Sequence, residues 1–105
     1  MRIMRVIVMF DLPTGTPDER RSQAMFRKFL VEEGYTMEQF SIYSKIAMGR
    51  ASADTARFKV RLNCPAFGSV EVLTLTEKQY AARDILVSDI RHSKEKLGTQ
   101  LTLDL

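Results

Sequence analysis

The stretch Val8-Met9-Phe10-Asp11-Leu12-Pro13-Thr14-Gly15 ends an apolar run in a single acid, followed at once by turn-forming residues. A carboxylate at a strand's exit sits at the rim of a sheet, where a rigid element holds functional groups well. Two readings fit. Asp11 either accepts backbone N–H bonds within its own turn, as aspartates often do, or it ligates a divalent metal. Mg²⁺ takes one or two carboxylates and keeps several waters. One Asp per chain therefore suffices if two copies meet across a two-fold axis, the commonest homo-oligomeric arrangement. Two facing carboxylates repel unless a cation lies between them, so this chemistry needs a dimer first and a metal second.

Four basic side chains follow. Arg20 and Arg27 are seven residues apart, as are Arg21 and Lys28, so each pair shares a helix face. They form either a solvated surface or a stripe that tracks phosphates, and the guanidinium fork suits the second use. Other chemistries lack their residues. Cys64 is the sole cysteine, which excludes an internal disulfide and fits a small apolar residue near a helix end. His92, among Arg91, Lys94 and Lys96, fits a solvated face. There is no phosphate-binding glycine loop, nucleophile elbow, zinc-protease pair or dinucleotide fingerprint. The aromatic motif of RNA-recognition sheets is also missing.

The elements that must position these residues follow from periodicity. Ile3 to Phe10 is apolar except for Arg5, the pattern of a central strand buried on both faces. Thr16, Pro17 and Glu19 form a capping box with proline at the first helical position. Met25, Phe26, Phe29 and Leu30 then recur at helical spacing until Gly34. Tyr35 to Ala47 alternates as one long strand or as two joined by a kink or bulge near Gln39. Phe40, Ile42, Ser44 and Ile46 fall on one side; Tyr35, Met37, Gln39, Ser41, Tyr43 and Lys45 fall on the other. Ser52 or Asp54 caps a second helix running to about Asn63, with Ala56 and Val60 inward. Pro65 and Gly68 break the chain before a strand from Val70 to Thr76. Leu86, Ile90 and Leu97 fit a helix ending at Gly98, and Leu101 to Leu105 a short edge strand that needs a partner, in this chain or another.

That order predicts an α+β ferredoxin-like sandwich: an antiparallel sheet with two helices on one face, plus a C-terminal edge strand. At 105 residues, 45% hydrophobic and 28% charged, the chain suits one soluble domain. Its strongest apolar run, Val6 to Phe10, is too short to span a bilayer, and Met1 to Phe10 lacks the cleavage site of a signal peptide. The expected location is the cytoplasm. The net charge of +3 divides into +4 over residues 1–61 and −1 over residues 62–105, a bias that permits nucleic-acid contact without requiring it.

The segments MRVIVMFDLPTGT, ERRSQAMFRKFLVEEGY, MEQFSIYSKI and GSVEVLTLTEKQY together resemble one family. It is the small CRISPR-associated protein that partners the CRISPR integrase in spacer acquisition, often called an endoribonuclease. The resemblance covers residues 1 to about 80, in order and at matching intervals. The TEKQY ending is most similar to members from systems whose effector is one large RNA-guided nuclease.

The resemblance implies a ferredoxin-like domain over residues 1–80, and we expect the tail, 81–105, to pack on the dimer or the integrase. It implies a homodimer in which Asp11 of both subunits shares Mg²⁺, and a metal-activated water that cleaves phosphodiesters of RNA or DNA. Phe10, Ser41 and Tyr43 match further family positions, and Arg20 and Arg21 match a basic helix start. Expected partners are the integrase, double-stranded DNA bound without sequence preference, and single-stranded RNA; no membrane is expected. The role implied is in antiviral defence, where the family's part in acquisition is largely architectural, the dimer bridging integrase dimers along the incoming DNA. Two other readings stand beside it: a ferredoxin-like regulatory domain that binds a small molecule, and a toxin-like endoribonuclease that shares Asp11 but needs no integrase.

Overall fold

A computed structural model describes residues 2–88. The elements are β1 (Ile3–Asp11), α1 (Pro17–Glu32), β2 (Thr36–Gln39), β3 (Ile42–Met48), α2 (Arg50–Leu62), β4 (Ser69–Thr76) and α3 (Glu77–Ala81). They form one sheet in the order β2-β3-β1-β4 with every neighbouring pair antiparallel. This is the expected α+β ferredoxin-like arrangement, with the acid-bearing β1 at its centre.

Side chains alternate along β1. Met4, Val6, Val8 and Phe10 are buried against Phe26 and Leu30 of α1 and Ala53, Ala56 and Val60 of α2. Val6, Val8, Leu30 and Val60 are essentially closed to solvent, and burying a side chain of this size contributes about 1.5–3 kcal/mol. The capping box is present as expected: Thr16 Oγ1 accepts the Glu19 N–H at 3.1 Å, and Glu19 Oε1 accepts the Thr16 N–H at 2.9 Å. Gly34 ends the α1 region with φ +94°, a conformation that costs glycine little.

Three expectations change, and of the two alternatives left open for Tyr35 to Ala47 the structure has the two strands. β1 is not buried on both faces. Its second face carries Ile3, Arg5, Ile7, Met9 and Asp11, half-buried or exposed, because both long helices pack on the other side. The segment after Gly34 is two strands joined by a turn at Phe40 and Ser41, with a bulge at Glu38 between the Met37 and Gln39 pairings. Ser41 takes the left-handed φ of +63° that the tight reversal needs. α2 starts at Arg50, before Ser52 and Asp54. Gly49, at φ +115°, turns the chain sharply and its carbonyl accepts the Ala53 N–H at 3.1 Å. Finally, Met25 projects into solvent at 65% exposure, while Phe26 and Leu30 fill the core and Phe29 packs against it.

α3 was not expected as a helix. It begins at a second capping box, Thr76 with Gln79. Leu86 has no regular structure. Ile90, Leu97, Gly98 and the edge strand from Leu101 to Leu105 lie outside the described residues. Among the described residues, no helix is long and apolar enough to cross a membrane.

Candidate active site at the exit of the first strand

Asp11 is the last residue of β1 and is exposed. By alternation it shares the uncovered face with Ile7 and Met9, not the core face with Phe10. Beneath it, Phe10 is buried in an aromatic cluster. Its ring meets Phe26 edge-on at 5.2 Å and stacks on Tyr43 at 5.8 Å; Phe26 in turn stacks on Phe29 at 6.3 Å. Such pairs contribute beyond their buried area, so the strand's end is pinned one residue before the acid. Phe10 and Tyr43 thus lie in the core beside Asp11 and can act on it only by holding the backbone.

The backbone around Asp11 is fixed from both sides. Asp11 pairs with Ser69 of β4. Gly68, at φ +99°, passes so close that a Cβ there would lie 2.8 Å from both the Asp11 carbonyl oxygen and Leu12 Cδ2. On the other side, the Ser41 carbonyl accepts the Phe10 N–H at 3.0 Å. Ser41 therefore contributes main chain at the rim.

Arg20 stands next to this loop. Its Nη1 donates to the Thr14 carbonyl at 3.0 Å, tying the first turn of α1 to the segment that follows Asp11. Arg21 is exposed and makes a long contact with Asp18 at 3.5 Å, the kind of surface pair that contributes little. Lys28 is exposed, whereas Arg27 is half-buried with its Nε enclosed and unpartnered. The stripe thus reaches solvent mainly through Arg20, Arg21 and Lys28. Cys64 is exposed just beyond α2, and partial burial pushes its thiol pKa up.

A polar network occupies the other end of the uncovered face. Arg5 Nε donates to Glu77 Oε1 at 2.8 Å, Nη2 bonds the second Glu77 oxygen, and Nη1 donates to Ser44 Oγ at 3.2 Å. The Ser44 hydroxyl and the Tyr80 hydroxyl both donate to Glu38 Oε2. The Arg5 and Arg83 guanidinium groups lie over the Tyr80 ring, 4.2 and 3.8 Å from its centroid. Burial would raise the Glu38 carboxyl, but the Ser44 and Tyr80 hydroxyls and the charges of Arg5 and Arg83 carry it below its usual pKa. Arg5 does the same to Glu77, chiefly through its hydrogen bonds. Sequence reasoning missed this network. Its one visible signal was Arg5, the charge that interrupts the apolar run of β1.

Among the described residues, no group of three or more His, Cys, Asp or Glu side chains converges as a metal site. The donor set at Asp11 is one exposed carboxylate. Such a carboxylate is compatible with Mg²⁺, which accepts few protein ligands and keeps its waters.

The sequence model of one protein family, described as CRISPR associated protein Cas2, matches residues 4–83. The chain belongs to the Cas2 family. It is 45% identical over 86 residues to a CRISPR-associated endoribonuclease Cas2 of Treponema denticola, covering 82% of this chain and 85% of that protein. It is 49% identical over 79 residues to the protein of that name from Streptococcus mutans serotype c, covering 74% and 72%. With the one from Campylobacter jejuni it shares 36% identity over 104 residues, 99% of this chain and 72% of that protein. The Cas2 match runs from β1 to just beyond α3, so it includes both Asp11 and the network around Arg5.

Proposed function

We propose that this Cas2 chain is a homodimeric, Mg²⁺-dependent phosphodiesterase that also serves spacer acquisition by binding DNA and bridging the integrase. The observation that carries the proposal is the position of Asp11: an exposed acid at the end of a rigidly held strand, on the uncovered face of the sheet. That face also presents Ile3, Ile46, Met48 and Leu73, each 43–55% exposed. Burying such a surface against a second copy is favourable, and an isologous pairing of the two sheets would bring two Asp11 carboxylates towards one axis.

Each residue has a task in that arrangement. The two Asp11 carboxylates hold the ion, and its charge offsets their repulsion. When bound, the ion lowers the pKa of a coordinated water and neutralises charge on the phosphate. The Phe10 cluster and Gly68 keep Asp11 in register. Arg20 fixes the loop after it, while Arg21 and Lys28 contact backbone phosphates without reading bases. Family membership favours this reading over a small-molecule regulatory domain.

Reconstituted spacer integration tests it, run with wild type and Asp11→Ala beside metal-dependent cleavage by each protein alone. Loss of cleavage with integration intact assigns Asp11 to the nuclease and architecture to the acquisition role. Loss of both, with the dimer folded, makes Asp11 necessary for acquisition itself. Wild type that supports neither overturns the proposal.

A further inference from the structure

Phe40 is 83% exposed, more than Phe58 or Phe67. It is the first residue of the two-residue turn between β2 and β3, and Ser41 beside it holds the left-handed backbone. Hydrophobic residues scattered singly over a surface need no explanation. Position separates Phe40 from Met25, Phe58 and Leu62, while Phe67, one residue before Gly68, is a second exposed ring near the end of β1. Met9 pairs with Ile42, and the Ser41 carbonyl accepts the Phe10 N–H. Ser41, the neighbour of Phe40 in the turn, therefore lies beside Phe10, one residue before Asp11. Met25, Phe58 and Leu62 belong to α1 and α2, on the far side of the sheet.

The turn is also held firmly. Immediately behind it, the bulge residue Glu38 accepts bonds from Ser44 of β3 and Tyr80 of α3. The hairpin is thereby tied to its own second strand and to the end of the described fold. An exposed aromatic on so restrained a turn loses little conformational freedom when something flat lies on it.

We propose that Phe40 is a stacking platform for an unpaired nucleobase of the strand whose phosphodiester is held at Asp11, an inference that rests on the phosphodiesterase reading. The acid lies between two different surfaces. On the α1 side, Arg21 and Lys28 offer charge to phosphates. On the β2–β3 side, Phe40 offers a ring face. A single strand can place its backbone on the first and a base on the second. A paired base cannot do so without leaving its stack, so the platform selects unpaired or frayed strands over intact duplex. Every base has a π-face, so it selects none by sequence.

The experiment uses full-length wild type, Phe40→Ala and Phe40→Trp with 2-aminopurine in a single-stranded oligonucleotide, as separate RNA and DNA arms, and a duplex control. Binding is read in EDTA, where no metal-dependent cleavage intervenes; steady-state cleavage is read with Mg²⁺; light scattering reports the dimer. Wild type should quench the fluorescence of the single strand. Phe40→Ala should lose the quench and weaken single-strand binding about 5- to 150-fold, the span of one base–aromatic stack. It should raise KM more than it lowers kcat and leave duplex binding unchanged. Phe40→Trp should restore the quench. A quench in only one arm names that nucleic acid as the ligand. Unchanged quenching and affinity in Phe40→Ala overturn the platform, as does a Phe40→Ala protein that has lost its dimer, since the ring is then a protein contact. A Phe40-dependent quench without cleavage by wild type keeps the platform and removes the phosphodiesterase; cleavage without any such quench does the reverse.

Discussion

Gly68 lies against Asp11 so closely that one added carbon would stand 2.8 Å from the Asp11 carbonyl oxygen. Its φ of +99° is also unfavourable for any other residue. Gly68→Ala should therefore cost about 2 kcal/mol, combining backbone strain with displacement of the Asp11–Leu12 main chain. Denaturant unfolding measures the first effect. Loss of cleavage in the variant at a temperature where it remains folded measures the second.

Arg5 and Glu77 are 72 positions apart and joined by two hydrogen bonds. Glu77 has a folded-state pKa below its unfolded value, as does Glu38. Their contribution to stability is thus fully present above the unfolded carboxylate value of about 4.3 and is lost as pH falls through the lower folded value. Amide exchange within Glu77–Ala81 should accelerate over that acid range before β1 does. In Arg5→Ala, the Glu77 carboxyl should titrate closer to its usual position, as measured by NMR.

Tyr35 is buried, and burial, aided by the Glu33 charge, pushes its phenol up to about 12. The unfolded chain ionises near 10. The folded state should lose stability as pH rises from about 10 through about 12. Phenolate absorbance at alkaline pH should show late titration to which Tyr35 and, through burial and its bond to Glu38, Tyr80 both contribute, and Tyr35→Phe should remove the component near 12.

The salt dependence of nucleic-acid binding separates phosphate contacts from base contacts. Arg21→Ala and Lys28→Ala should each reduce the slope of log affinity against log salt by about 1, equally for all sequences. Arg27, half-buried, should change the slope less.

The fold was legible because its signals are local. The capping box at Thr16, the helical spacing of Phe26 and Leu30, and the alternation in β3 each announce their element within a few residues. Asp11 was legible for the same reason: an acid ending an apolar run stands out. The network of Arg5, Glu38, Ser44, Glu77 and Tyr80 was not, because its members meet only after β1, β3 and β4 pair. Phe40 was assigned to a strand face because the turn at Ser41 lacks the Asn-Gly or Asp-Gly signal, and a non-glycine residue carries the left-handed φ instead. The second face of β1 is half-exposed and not buried, because an apolar run has the same pattern whether helices cover one face of its strand or both.

Cleavage by Asp11→Asn tests the central claim most directly, because it removes the charge and keeps the shape. Wild type, Asp11→Asn and mixed dimers holding one copy of each should be compared on RNA and DNA at increasing Mg²⁺. A shared site predicts an intact Asp11→Asn dimer whose cleavage falls by more than about 100-fold, with mixed dimers strongly impaired and not half-active. Wild-type cleavage by Asp11→Asn, or cleavage indifferent to Mg²⁺, contradicts a metal held between two Asp11 carboxylates.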